Sequence, residues 1–231
     1  MRVETEVRET RALWGTFAWS DFEAMFLERL EREDFTDAMV LDLGTGKGRL
    51  ALLLAPRTGR VVGIDTDEDA LAFARDQARA RGISNATFLA ANADAANYRL
   101  LVRSPLDYVV ANHFMSEGAI RATSAGLHSK GRLLFACHHL DQWIESGRVG
   151  RFSFAEDRMR TLLTAASLSI EFLGIERRIV TYSGLHELAS AHPELRTKFE
   201  ADGRWGTLVD RFGGGPVQLT WSTVVGVAAK P

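Results

Sequence analysis

The sequence predicts an α/β protein built on a mostly parallel sheet with helices on both faces. Three observations point there. From residue 39 onward, short apolar runs alternate with amphipathic stretches. The runs are apolar throughout rather than at every second residue, as in strands buried on both faces. The first of them, at 39–43, passes directly into a glycine-rich turn that opens a helix, Gly44-Thr45-Gly46-Lys47-Gly48.

Composition is consistent with this and excludes other classes. The chain has 231 residues, 46% of them hydrophobic, and a net charge of −2. That is enough to bury a core without staples, and too apolar and too weakly charged for disorder. With 28 basic against 30 acidic residues, nothing global draws it to nucleic acid or anionic membrane. The single cysteine, Cys137, rules out an intrachain disulfide and a four-thiolate zinc site. The opening Met1-Arg2-Val3-Glu4-Thr5-Glu6 is charged and lacks a signal-peptide core. The longest apolar runs, 50–55 and 133–137, are too short to span a bilayer. A cytoplasmic protein without membrane partners is expected.

The elements follow in order. Residues 1–38 read as a helical appendage or lid. In it Ser20 and Glu23 have capping-box spacing, and Phe22, Met25, Phe26 and Leu30 form an apolar stripe. Trp14, Phe17 and Trp19 precede that stripe as core aromatics or as a cover for a ligand. The main domain, 39–231, begins with a strand at 39–43 and a helix at 48–55 stopped by Pro56. A strand at 60–65 precedes a helix at 66–81, with Thr66 and Asp69 at capping-box spacing and Gly82 at its end. Strands at 87–91 and 106–111, a helix near 117–125, a strand at 132–137 and a helix at 154–166 complete the alternating part. The tail differs: strands at 169–182 and 218–229 flank a 183–217 insertion. Its Leu185, Leu188, Leu195, Phe199 and Trp205 argue for order, and its mixed charge argues against a basic arm.

The chemistry concentrates after the first two strands. Gly44 and Gly46 allow positive φ and close approach of a ligand to the backbone. A dinucleotide fingerprint wants glycine at its sixth position, where Arg49 stands, and Asp42 is ill-suited to a phosphate. Asp65 ends the second strand one βαβ step later, where a carboxylate accepts both hydroxyls of a ribose.

On these residues the 39–137 segment resembles the class I S-adenosylmethionine-dependent methyltransferases. Asp42, Gly44 and Gly46 match the family's first motif, Asp65 the second, and Asp107-Tyr108-Val109-Val110-Ala111-Asn112-His113 the fourth. The resemblance implies a Rossmann-like, seven-stranded, mostly parallel sheet with an antiparallel last strand. It also implies S-adenosyl-L-methionine as cofactor, touched by Asp42, Gly44, Thr45, Gly46, Asp65, Thr66, Asn92, Ala93 and Asn112. Asn92 fits the adenine position by spacing, with Asp94 the alternative. Lys47 departs from the family's small residue there and must face solvent or substrate.

Methyl transfer needs donor and acceptor held in line and, for an oxygen or nitrogen acceptor, a base. His113, at the end of the fourth strand, is the candidate base, or else a packing histidine. Trp14 and Trp19 are candidate substrate contacts, and His138 and His139 candidate pocket walls. Adjacent strand residues face opposite sides, so no metal site is expected from that pair. The expected activity is methylation of a small molecule. The fourth motif lacks the proline pair common in methylation of nucleic-acid amines. An RNA or protein substrate, favoured by an arginine cluster of Arg148, Arg151, Arg158 and Arg160, is the alternative. A nicotinamide-dependent oxidoreductase and a non-catalytic nucleotide-binding module come after it. Oligomeric state is not legible.

Overall fold

The computed structural model describes residues 23–231. Its sheet runs β3-β2-β1-β4-β5-β8-β7, with the two-residue β6 attached to β5. The strands are β1 (Met39–Leu43), β2 (Arg60–Asp65), β3 (Ala86–Ala90), β4 (Leu106–Asn112), β5 (Leu127–His139), β6 (Ser153–Phe154), β7 (Ser169–Tyr182) and β8 (Val217–Ala229). All pairings are parallel except those of β8, which runs antiparallel to both β5 and β7. The expected seven strands are present, and β6 makes an eighth. It is two residues long, below what apolar patterning can reveal.

The helices among the described residues are α1 (Ala24–Glu31), α2 (Arg49–Leu54), α3 (Glu68–Ala80), α4 (Tyr98–Val102), α5 (Glu117–Gly126), α6 (Glu156–Ala165), α7 (Leu185–Ala191), α8 (Pro193–Ala201) and α9 (Arg204–Phe212). None is long and apolar enough to cross a membrane.

Every residue of β1 is buried, and its two-residue period sorts the side chains into two cores. Val40 and Val61 join Phe26, Leu30, Leu50–Leu54 and Leu71 on the α1–α3 face. Leu41, Leu43, Val62 and Ile64 join Tyr98, Ile120, Met159 and Leu163 on the α4–α6 face. Helices on both faces bury the strands twice over, hence their uninterrupted apolar character. A third cluster binds α7–α9 to the sheet: Phe199 and Leu208 are fully buried against Trp143, Tyr182, Val217 and Leu219. The 183–217 insertion is thus three packed helices that cap the carboxyl end of β5.

Two expected caps are corrected. Helix α3 is capped by Asp67, whose carboxylate accepts from the Asp69 and Ala70 amides, so the Thr66–Asp69 box does not form. Glu23 has extended backbone (φ −63°, ψ 135°) and stands before α1 as its N-cap residue, not inside a turn begun at Ser20. Ser20, Phe22, Trp14, Phe17 and Trp19 lie outside the described residues. Helix α4, unexpected from the sequence, is a five-residue element opened by Asn97, which accepts from the Leu100 amide.

Candidate active site

The carboxyl ends of the parallel strands carry the site, and the bend after β1 is its first component. Gly44, Gly46 and Gly48 all have positive φ, at 62°, 50° and 78°, a region costly for other residues. The three glycines serve different ends. A Cβ on Gly44 would meet Phe114 at 2.7 Å, and one on Gly48 would meet Ala74 at 2.8 Å, whereas one on Gly46 would meet nothing within 4 Å. Gly44 and Gly48 therefore permit packing, and Gly46 presents bare backbone to open space.

The bend is fastened from below and from the side. Asp42 is buried and accepts a hydrogen bond from Thr45 Oγ1 at 2.6 Å. Burial is the main cause that pushes its carboxyl up to about 7. Both side chains thus sit beneath the bend. From the side, the Gly46 amide donates to Asp65 Oδ2 at 2.8 Å. The other oxygen, Oδ1, accepts from the Thr66 and Asp67 amides at 2.7 and 3.1 Å. Asp65 is partly exposed at the tip of β2. Each carboxylate oxygen has two lone pairs, so Oδ2 retains capacity for a further donor.

Beyond β3, Asn92 is exposed, and its side-chain oxygen accepts from the Asp94 amide at 2.9 Å. Ala93 is buried. Asp94 Oδ1 accepts from Ser116 Oγ at the start of α5. Lys47 is exposed, 3.4 Å from Glu194 on α8.

The second component lies at the ends of β4, β5 and β8. Asn112 ends β4; its Oδ1 accepts from Arg49 at 2.8 Å, and its Nδ2 donates to Glu23 Oε2 at 3.3 Å. His113 follows in the left-handed region, φ 58°, held by its amide donating to Ala136 O at 2.7 Å. Its Nε2 lies 2.7 Å from Glu23 Oε1, which also accepts from Thr223 Oγ1 at 2.9 Å. Burial alone would raise the Glu23 pKa. The positive charge of His113 and hydrogen bonds from His113, its own backbone and Thr223 outweigh it and hold the carboxyl at about 2. A carboxylate that acidic cannot donate, so the Nε2–H of His113 donates to it.

His113 stacks on His138, with centroids 5.1 Å apart. Both line a cavity of about 260 Å³ with Gln142, Trp143, Phe152, Lys198 and Arg204 among its walls. Burial, and then the charges of His113 and Lys198, drive the His138 pKa down to about 3, so the ring is neutral. His139 instead turns to Asp141, 3.7 Å away. Cys137 is buried, and burial pushes its thiol well up, which suits packing rather than nucleophilic chemistry.

Asn112 and His113 share the Glu23 carboxylate, and His113 stacks on His138. Glu23 and the cavity residues of the insertion were missed: Glu23 looks like an ordinary charge at a helix start, and nothing local marks Lys198 or Arg204. The arginine cluster divides. Arg148 and Arg151 line the cavity, whereas Arg158 pairs with Glu117 at 3.1 Å and Arg160 with Glu156 at 2.9 Å.

A parallel sheet closed by an antiparallel strand, with a glycine bend after β1 and a carboxylate ending β2, defines a class of nucleoside-binding α/β proteins. Comparison with known proteins makes that class specific. The sequence model of a family described as a methyltransferase domain matches residues 34–147. The release factor glutamine methyltransferase of Vibrio cholerae is 36% identical over 92 residues, covering 37% of this chain and 32% of that protein. The chain spans about a third of the length of the curated relatives it matches. Among solved structures, the YcgJ protein from Bacillus subtilis aligns with a TM-score of 0.68 at 19% identity, covering 88% of this chain and 96% of that one. A Haemonchus contortus phosphoethanolamine N-methyltransferase 2 in complex with S-adenosyl-L-methionine aligns with a TM-score of 0.57 at 15% identity, covering 92% and 53%. These structures share the fold. Residues 34–147 thus match a methyltransferase domain, on a fold shared with structures that include one solved with S-adenosyl-L-methionine.

The first component is compatible with such a ligand: the space over Gly46 is unfilled within 4 Å, and Asp65 beside it keeps acceptor capacity for one sugar hydroxyl.

Proposed function

We propose that the protein transfers a methyl group from S-adenosylmethionine to an oxygen or nitrogen of a small-molecule acceptor. One observation carries the reading: a histidine held by a partly buried carboxylate lines a small cavity, next in sequence to the Phe114 that packs on the glycine bend. When bound, the cofactor supplies a methyl group already activated by the positive charge on its sulfur.

The residues divide the work. Asp65 accepts the ribose hydroxyls, with Thr66 beside it, and the Gly44–Gly46 backbone receives the amino-acid end. Asp42 and Thr45 act from beneath by fixing the bend. Asn92 and Ala93 face the adenine; Asp94 is already engaged by Ser116, which favours Asn92 over it. Asn112, clamped between Arg49 and Glu23, separates the donor side from the acceptor side.

His113 then takes the acceptor's proton on Nδ1 while its Nε2–H stays on Glu23. The pair thus combines general base and orienting carboxylate. Holding the two reactants in line is itself worth roughly 7–11 kcal/mol. The small volume of the cavity supports a small acceptor over RNA.

Calorimetric titration with S-adenosylmethionine and S-adenosylhomocysteine tests the reading. Binding of both below millimolar concentration is expected. A folded protein that binds neither, or that binds NADH instead, contradicts it.

A further inference from the structure

The cavity beside His113 has an unusual balance of charge. Its walls carry Arg148, Arg151, Lys198 and Arg204 against a single carboxylate, Asp202. That carboxylate is already committed: Arg204 Nε and Nη2 donate to its two oxygens at 2.7–3.0 Å. Arg204 is itself buried, with its guanidinium 4.0 Å from the centre of the Phe199 ring. The Arg204–Asp202 pair is thus a self-neutralised wall, and three cations remain. Among the described residues, none of Lys198, Arg148 and Arg151 has a carboxylate within ion-pair distance.

Lys198 is the most telling of the three. Its ammonium lies 5.3 Å from the Trp143 ring centre, and Arg151 lies 5.2 Å from that of Phe152. Lys198 is exposed as a residue; partial desolvation of its ammonium and the charge of Arg204 lower its pKa, and Asp202 opposes them. His138, on the same wall, has an Nδ1 with no hydrogen-bond partner among the described residues. Cations without an ion-pair partner among the described residues, gathered around one open cavity between aromatic faces, describe a site shaped for a negatively charged guest.

We propose that the acceptor carries an anionic group, a carboxylate or a phosphate, bound by Lys198 with Arg148 and Arg151, and an apolar or aromatic body lying against Trp143 and Phe152. This rests on the methyltransferase reading above and names the substrate class for that site. The volume of about 260 Å³ suits a small molecule.

The test titrates phenyl phosphate and benzoate, with phenol as the neutral comparison, into protein saturated with S-adenosylhomocysteine. The anions are expected to bind at least tenfold more tightly than phenol. Lys198→Met should weaken them about tenfold, the loss of one charged hydrogen bond, and Arg148→Gln, at an exposed position, by a few fold. Neither variant should change S-adenosylhomocysteine affinity. Phenol binding as tightly as phenyl phosphate, or both variants binding the anions like wild type, overturns the proposal. An equal loss of S-adenosylhomocysteine affinity in Lys198→Met also overturns it, because the cations then serve the cofactor. A single-stranded oligonucleotide that outcompetes phenyl phosphate with steep salt dependence overturns it in favour of RNA. Anion binding in a protein that fails to bind S-adenosylhomocysteine supports the anion site while removing the methyltransferase reading, so the two fail separately.

Discussion

The two ends of the site are built in opposite ways. The cofactor end is local: Asp42, the glycine bend and Asp65 come from two consecutive strands, and β1 pairs with β2 in register over Met39–Leu43. The acceptor end is assembled from Glu23, His113, His138, the 142–153 segment and α8. Charge follows the same division. The glycine-bend end offers the Asp65 carboxylate and bare backbone, and the other end offers cations beside the neutral His138 ring. On the proposed reading, a cationic sulfonium and an anionic acceptor would each be drawn to its own side.

The comparison can be broken first at its scaffold. Phe199 is fully buried and meets the Trp143 ring edge-on with centroids 5.4 Å apart. Phe199→Ala should cost roughly 3–5 kcal/mol of stability in urea melts and enlarge the acceptor cavity. S-adenosylhomocysteine affinity should stay within about threefold of wild type. A tenfold loss would mean that the two ends are not independent.

Glu23 sharpens the contrast through pH. Its carboxyl sits at about 2 against an ordinary 4.5, so the folded protein binds that proton less readily than the unfolded chain. The stability it adds is complete above pH about 4.5 and is lost as pH falls toward 2, on the order of 3 kcal/mol in all. Glu23→Gln should be less stable at neutral pH and should show a shallower acid limb over that window. Its methyl-transfer rate should fall about tenfold, since the His113 tautomer is no longer held, with cofactor affinity unchanged. An acid limb identical to wild type would refute the pairing.

The glycines give the smallest effects and the finest distinction. Gly46→Ala places its methyl in open space at φ 50°, so it should fold with a loss of about 1–2 kcal/mol and bind cofactor about tenfold more weakly. Gly48→Ala bears the same strain and also meets Ala74 at 2.8 Å. Its loss in urea melts should be visibly larger, with a milder effect on binding per unit of stability lost.

What the sequence revealed follows the same line between local and assembled. The apolar strands, the glycine bend and Asp65 were legible because each depends on neighbours a few residues away. The antiparallel tail was legible from its long β-branched runs. The Thr66–Asp69 box was misplaced by one residue because Asp67 caps equally well and lies nearer the turn. Glu23 was hidden because its partners, His113 and Thr223, are 90 and 200 residues away in sequence. The insertion's mixed charge concealed a basic wall: folding buries Arg204 and sets the exposed Lys198 at the cavity, while Glu187 and Glu200 engage Ser183 and Arg196 elsewhere.

The central claim is that Asp65 and the bend it fastens hold the sugar and tail of the cofactor. Its most direct measurement is calorimetry of S-adenosylhomocysteine with Asp65→Ala beside Glu23→Gln, each shown to be folded by circular dichroism. The account predicts a loss of roughly tenfold or more for Asp65→Ala, from one charged hydrogen bond to a sugar hydroxyl and from the unfastened bend, and wild-type affinity for Glu23→Gln. Wild-type affinity in Asp65→Ala would contradict it.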